Sequence, residues 1–179
     1  MDSIDKSNQI VVGGLTFRRP QMSDVPDLLE VKNNAKSAYL LGGIHHKYEE
    51  EDIKNWITFH NNQSDEVLFV VIENGKVIGH IGLYHIDMMA RKAEYGILIA
   101  NEQSKGRGLG KICTNFMTEY AYNQLGLNKV YAYLLSENVP SYGMFIKCGF
   151  VVEGCLKDSI YKNDKFYDEL VVAKFKNVK

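Results

Sequence analysis

Residues 94–111, with the sequence EYGILIANEQSKGRGLGK, constrain this chain more than any other stretch. An apolar run around residues 96–100 predicts a β-strand, and a polar loop with three alternating glycines follows it. Periodic apolar residues from Leu109 to Tyr120 then predict a helix with one apolar face. This order predicts an anion-binding site, because glycine allows close approach and the first N–H groups of a helix lack partners.

Two common glycine loops do not fit this spacing. A P-loop has four residues between its outer glycine and Gly-Lys, and Ser or Thr follows to hold magnesium. Here three residues separate Gly106 from Gly110, and Ile112 follows Lys111. A Rossmann fingerprint requires a small residue where Lys111 stands, and an acid at a later strand end, which the region near Lys129 does not offer.

The loop instead resembles the pyrophosphate loop of the GNAT family of N-acetyltransferases, whose pattern is Gln/Arg-x-x-Gly-x-Gly/Ala. Residues 105–110 fit with Lys105 in the first slot, and residues 103–108 fit literally. We favour the later register, because Gly110 then opens the helix. A glycine-rich turn that binds no ligand is the structural alternative.

A second motif of the same family follows the glycine loop, and the two motifs stand in the order that the family has. A predicted strand over Lys129–Leu135 precedes Asn138, a short helix and Gly149-Phe150. The likeness extends over residues 15–175, and the end of the chain is similar to ribosomal-protein N-terminal, spermidine and amino-sugar acetyltransferases. It implies a mixed α/β fold whose mostly antiparallel central sheet splays at the cofactor site and is flanked by helices.

The resemblance also implies acetyl-CoA as cosubstrate. In the family, backbone N–H groups of the reacting strand meet the pantetheine and the thioester carbonyl, and the glycine loop binds the diphosphate. The helix after the second motif lies beside the pantetheine arm. The residues to which this implies a cofactor contact are Leu98, Ile99, Ala100, Lys105, Gly106, Arg107, Gly108, Leu109, Gly110, Lys111, Asn138 and Phe145.

Glu94 is the candidate general base, because it opens the strand where many relatives carry the acid that receives the amine proton. An unperturbed glutamate has a pKa of about 4.3 and is a weak base, so partial burial would help by raising its pKa. The alternative is a surface glutamate that pairs with Arg91 or Lys92.

The proton donor departs from the family pattern. The usual tyrosine falls seven residues after Asn138, at Phe145, which cannot donate a proton. Ser141 and Tyr142 lie nearby on the predicted helix, about 100° apart, so one of them is expected to face the thioester. Ser141, Tyr142 or bulk water would then protonate the leaving thiolate.

The acceptor is expected to be a primary amine, taken by direct transfer in a ternary complex: a nucleotide-linked amino sugar, another small amine or a protein N-terminus. Its pocket would draw on residues 35–47, 80–87 and 161–167. The acidic run Glu49–Asp52 also allows a polyamine, although acids at a helix start have the same signature. Alternatives are a non-catalytic acyl-CoA-binding module and, more weakly, O-acetylation, which needs a stronger base than Glu94.

Composition sets the outer limits. The 179 residues, 45% of them hydrophobic, predict one folded domain, residues 11–179, after a loose polar leader, residues 1–10. The net charge of −1 argues against a nucleic-acid partner, and no apolar run approaches the roughly 20 residues of a membrane span. Three cysteines without paired spacing predict buried thiols in a reducing cytoplasm, and the five histidines predict no metal site. A homodimer is implied by the resemblance alone.

Periodicity and turn residues place the remaining elements. Asn74-Gly75 and Asn163-Asp164 predict hairpin turns, and Gly79 and Gly82 predict a bulge or close packing. The predicted strands are residues 15–19, 67–73, 76–86, 93–100 and 129–135, and the predicted helices include residues 25–31 and 50–59.

Overall fold

In a computed structural model, which describes residues 9–34, 46–100 and 106–176, the chain forms an eight-stranded sheet with helices on both faces. The strands are β1 (Ile10–Val12), β2 (Leu15–Arg18), β3 (Val67–Glu73), β4 (Lys76–Asp87), β5 (Lys92–Ile99), β6 (Lys129–Leu135), β7 (Val151–Lys162) and β8 (Lys165–Phe175). The helices are α1 (Val25–Lys32), α2 (Glu50–Asn62), α3 (Leu109–Asn123) and α4 (Val139–Lys147). The spatial order is β1-β2-β3-β4-β5-β6-β8-β7.

The sheet is antiparallel except between β5 and β6, which run parallel. Their pairing covers residues 92–94 of β5 and residues 129–131 of β6. The rest of β6 pairs with β8 on its other side, so the last five residues of β5 and the last four of β6 diverge. This divergence, which we call the β5–β6 gap, confirms the predicted splayed sheet.

Two cores cover the two faces of the sheet. The larger core lies under α3 and α4, because apolar α3 side chains from Leu109 to Ala121 recur at helical spacing and are buried. The smaller core joins α1 and α2 to the opposite face, where Leu28 and Ile57 pack against Val70. We call this second side the α1/α2 face.

Glycines in β4 and β5 make room for one tyrosine. The Tyr84 ring lies along the α1/α2 face, where a Cβ on Gly82 would lie 2.6 Å from its hydroxyl oxygen. A Cβ on Gly96 would lie 2.9 Å from its Cε2. At Gly79 a Cβ would lie 2.2 Å from the backbone oxygen of Leu98 on β5. The predicted close packing at Gly79 and Gly82 is therefore confirmed.

The bounds of several elements differ from the prediction. Strand β1 was not predicted and begins at Ile10, inside the proposed leader; residues 1–8 lie outside the described residues. Helix α2 continues to Asn62, three residues beyond the predicted end. The prediction of buried thiols is wrong for Cys155, which is exposed on the edge strand β7, whereas the other two cysteines are buried.

Candidate active site

The backbone amides of β5 alternate between β4 and the β5–β6 gap. The N–H of Ala100 donates to the carbonyl oxygen of Ile78 at 3.1 Å, and His80 pairs with Leu98 in the same ladder. In an antiparallel ladder every second residue directs its N–H to the same neighbour. The amides of Ala100 and Leu98 are therefore both engaged by β4.

The same alternation directs the N–H groups of Ile97 and Ile99 into the gap, where β6 has diverged. The amides of Leu98 and Ala100 are therefore not free to meet a cofactor, and a cofactor contact of either residue stays a prediction. Of the three predicted residues, Ile99 alone directs its N–H into the gap, and Ile97, which was not predicted, does the same. The sequence shows which side chains of β5 share a face of the sheet, but it does not show which of the backbone amides are hydrogen-bonded to β4.

The glycine turn leads directly into α3. Gly108 is the N-cap, with a left-handed φ of 77°, so the helix opens at Leu109 rather than at Gly110. The first helical hydrogen bond runs from the N–H of Ile112 to the oxygen of Gly108. The N–H groups of Leu109, Gly110 and Lys111 consequently have no acceptor within the helix, and no acid lies in this turn. Such a helix start suits an anion.

The charge around this turn is arranged differently from the prediction. The Arg107 guanidinium is held by the Glu73 carboxylate at the end of β3, at 2.7 and 3.1 Å. Its charge is thus largely compensated. Lys105 lies outside the described residues. Lys111, exposed in the first turn of α3, is the described basic side chain that remains beside the free amides.

Helix α4 begins beside the end of β6 and is capped by Asn138. The Asn138 side-chain oxygen accepts the N–H of Ser141 at 3.1 Å, which gives this asparagine a role in the fold. Ser141 is half-buried and Tyr142 is 39% exposed. Both candidate proton donors thus lie in the first turn of α4.

Phe145, on the same helix, is buried in the larger core. Its ring contacts those of Tyr95 and Phe150, with centroids 6.1 and 4.9 Å away. This packing explains why an apolar ring is retained at the position where the family carries a tyrosine. A contact between Phe145 and the cofactor stays a prediction.

Glu94 lies where β5 parts from β6, between Tyr84 on β4 and Tyr131 on β6. Its side chain is 30% exposed, and its Oε2 is 4.0 Å from Nε2 of His85. Burial raises the pKa of Glu94, and the nearby Glu169 raises it further, while His85 opposes the shift. Glu94 is therefore a stronger base than a free glutamate.

The alternative for Glu94 was an ion pair with Arg91 or Lys92, and the pair with Arg91 is not formed. The Arg91 guanidinium donates instead to the carbonyl oxygen of Gly126, at 2.7 and 2.9 Å. The partner of Glu94 is His85, which has a left-handed φ of 51° at an irregularity in the pairing of β4 with β5. His85 is 71% exposed, so it connects Glu94 with the solvent.

An aromatic cluster covers the α1/α2 face next to Glu94. The ring of His60 contacts those of Trp56 and Tyr84, with centroids 4.9 and 5.9 Å away, and its Nδ1 pairs with the Glu66 carboxylate at 2.5 Å. Burial raises the pKa of Tyr84, with help from the carboxylates of Glu66 and Glu94. The predicted pocket strand, residues 80–87, faces this cluster.

Sequence reasoning missed two parts of this face as site residues. Glu66 lies directly before β3, and no motif or periodicity in the sequence marks it as a site residue. Trp56 and His60 stand four residues apart on one face of α2, which was the available signal. The predicted joint at residues 35–47 is outside the described residues except for His46 and Lys47.

Comparison with known proteins decides the family. Residues 14–151 match the family described as the Acetyltransferase (GNAT) domain. The chain belongs to the GNAT acetyltransferases. This confirms the resemblance found in the glycine loop and in the second motif, and with it the class of enzyme and the mixed α/β fold.

Individual relatives of this chain support the assignment to the GNAT family. The spermidine N(1)-acetyltransferase of Vibrio cholerae serotype O1 (strain ATCC 39315 / El Tor Inaba N16961) is 29% identical over 157 residues, covering 86% of this chain and 88% of that protein. YdaF of Bacillus subtilis (strain 168), provisionally named a ribosomal N-acetyltransferase, is 32% identical over 98 residues, covering 55% of this chain and 53% of that protein. The crystal structure of spermidine N-acetyltransferase from Vibrio cholerae in complex with CoA and spermine has a TM-score of 0.82 at 25% identity, covering 92% of this chain and 96% of that one.

Acetyl-CoA, the acetyl donor of GNAT enzymes, fits the residues present. The amides of Ile97 and Ile99 line the gap, where a pantetheine arm needs partners, and the start of α3 offers N–H groups to a diphosphate. Within the described ranges, no helix is long and apolar enough to cross a membrane. Over the same ranges, no group of three His, Cys, Asp or Glu side chains could hold a metal ion.

Proposed function

We propose that this GNAT enzyme transfers the acetyl group of acetyl-CoA directly to a primary amine held on the α1/α2 face. The observation that carries the proposal is the position of Glu94. It is the last β5 residue paired with β6, directly before the gap into which Ile97 and Ile99 direct their amides. A proton acceptor and backbone donors thus lie within a few residues of each other on one strand.

The chain's own groups have distinct tasks in this reaction. When bound, acetyl-CoA supplies a thioester that an amine can attack. The amides of Ile97 and Ile99 align the pantetheine arm, and the first turn of α3 with Lys111 binds the diphosphate. The Glu94 carboxylate accepts the amine proton, and His85, 4.0 Å away and exposed, passes it to solvent.

The proton for the leaving thiolate comes from the first turn of α4 or from water. The Ser141 hydroxyl and the Tyr142 phenol are the candidates. Ser141 follows the capping residue Asn138 by three positions, and Tyr142 is 39% exposed. Substituting each one separately distinguishes between them.

The acceptor class is supported by the names of the relatives, which include a spermidine acetyltransferase and a provisional ribosomal one. We keep a nucleotide-linked amino sugar, another small amine or a protein N-terminus as acceptors, and a polyamine as the alternative. The acidic run Glu49–Asp52 forms the N-cap and first turn of α2, which favours a helix start over a polyamine site. Asp52 Oδ2 accepts the N–H of Glu49 at 2.8 Å, so the run caps the helix.

Release of free CoA with a panel of amines tests the proposal, with the Glu94→Gln variant as a matched control. Because Cys155 is exposed, a thiol reagent must be corrected for the signal of the protein alone. Amine-dependent release that the variant reduces supports the proposal. Binding of acetyl-CoA without release by any amine would favour the acyl-CoA-binding module.

We also propose a homodimer formed along β7. This strand pairs with β8 on one side and forms the edge of the sheet on the other. Its apolar side chains Val151 and Leu156 are 53% and 44% exposed. Light scattering after gel filtration tests the assembly, and a monomeric mass at micromolar concentration would refute it. The cytoplasmic location stays a prediction.

A further inference from the structure

Lys32, at the end of α1, is a half-buried cation without a counter-ion among the described residues. Its Nζ lies 4.1 Å from the centre of the Trp56 ring and 5.3 Å from the centre of the Tyr48 ring. Removal from water lowers the pKa of Lys32 to about 8, and no carboxylate opposes that shift. Among the described residues, the partners of this ammonium are the two aromatic faces alone.

His80 is a second polar side chain on the same face. Neither of its ring nitrogens has a hydrogen-bond partner in the described structure, although both are buried. Its ring centroid lies 4.9 Å from that of Trp56. Burial and the positive charge of Lys32 lower the pKa of His80, so the ring is neutral and retains one donor and one acceptor.

The position of this pair connects it with the reaction. His80 lies directly opposite Leu98 in the β4–β5 ladder, next to the amides of the gap. Tyr84 lies opposite Glu94 in the same ladder. Four residues of strand, about 13 Å, separate the two places. One end of the α1/α2 face thus carries the carboxylates of Glu66 and Glu94, and the other end carries an uncompensated ammonium.

We propose that Lys32 and His80 bind an anionic group of the acceptor, a carboxylate or a phosphate, while its amine is directed to Glu94. This inference rests on the proposed function and narrows its substrate class. An anion would give the Lys32 ammonium its missing counter-charge and accept a hydrogen bond from the His80 ring. A polycation would instead place a like charge beside Lys32 in a poorly hydrated site, which disfavours the polyamine alternative.

Four primary amines of similar length and different terminal charge test the inference. We would compare kcat/KM for 5-aminopentanoate, 4-aminobutyl phosphate, neutral 5-aminopentanamide and 1,5-diaminopentane. We expect at least one of the two anionic amines to exceed the amide by about tenfold or more, and the better one identifies the anion. The diamine is expected to be the poorest substrate.

Variants assign the preference to Lys32. Lys32→Gln should reduce the anion-to-amide ratio to about one while the amide is still acetylated, and Lys32→Arg should retain most of the ratio. Lys54→Gln, on the exposed side of α2, should leave the ratio unchanged. A thermal unfolding curve for each variant separates loss of the fold from loss of the preference.

Two results overturn the inference, and they differ from failure of the proposed function. Equal values for the anionic amines and the amide in the wild type would refute an anion subsite but leave an acetyltransferase. A diamine that is the best substrate would do the same and restore the polyamine. If no amine releases CoA while acetyl-CoA binds, the proposed function fails, and this inference fails with it.

Discussion

Replacing Gly79 by alanine should separate β4 from β5 beside the gap. The added Cβ would lie 2.2 Å from the backbone oxygen of Leu98 and 3.0 Å from the Cα of Ile99. Ordinary contact begins near 3.4 Å, so the first distance is short by 3.4 minus 2.2, or 1.2 Å. Because the obstacle is backbone, no side-chain rotation relieves it. We expect a loss of about 2–3 kcal/mol in the free energy of unfolding.

For a domain of this size each kcal/mol shifts Tm by about 2–4 °C, so Tm should fall by about 4–12 °C. Urea unfolding measures the free energy, and calorimetric titration should show weaker acetyl-CoA binding, because the amide of Ile99 moves. Gly143→Ala is the control: a Cβ there has nothing within 4 Å, and alanine in a helix interior stabilises by about 1 kcal/mol. Wild-type stability in the Gly79→Ala variant would refute the close approach of the strands.

Four further substitutions test the site. Glu94→Gln should lower turnover chiefly below the pH at which the acceptor amine deprotonates unaided; an unchanged pH–rate profile would remove Glu94 as base. Since burial raises the pKa of Glu94, its ionisation destabilises the fold, so the same variant should unfold at a higher temperature than wild type above that pKa and lose this advantage as the pH falls. Gly108→Val should raise the KM for acetyl-CoA by tenfold or more, since valine resists a φ of 77°; an unaltered KM would contradict a diphosphate at the start of α3. Ser141→Ala and Tyr142→Phe, compared by kcat, should show a loss in one variant alone, and equal wild-type rates would indicate water as the donor.

The parts of the fold that sequence alone predicted are those with strong local signals. The bounds of β3 and β6 agree with the structure at both ends, because each is a short apolar run between polar or turn residues. The turns at Asn74-Gly75 and Asn163-Asp164 have the left-handed φ values that their sequence predicts. The two family motifs rest on short spacings of the same kind.

The parts that could not be predicted depend on distant partners. Arg107 pairs with Glu73, 34 residues away, which local sequence does not reveal, and its contact with the diphosphate stays a prediction. Which amides of β5 are free depends on the register with β4, and the sequence does not reveal that register. Lys32 gave no signal, because its chemistry arises from Trp56 and Tyr48, both contributed by a later segment.

The divergence of β5 from β6 also makes the stability of the protein depend on the concentration of acetyl-CoA. Three residue pairs are the backbone ladder that ties the first five strands to the last three in the described chain. A ligand bound in the β5–β6 gap would contact both strands, as an additional strand would, and would so connect the two parts of the sheet. We therefore expect resistance to heat and protease to rise with the concentration of acetyl-CoA, so that scarcity of the donor would shorten the lifetime of the enzyme as well as slow its work.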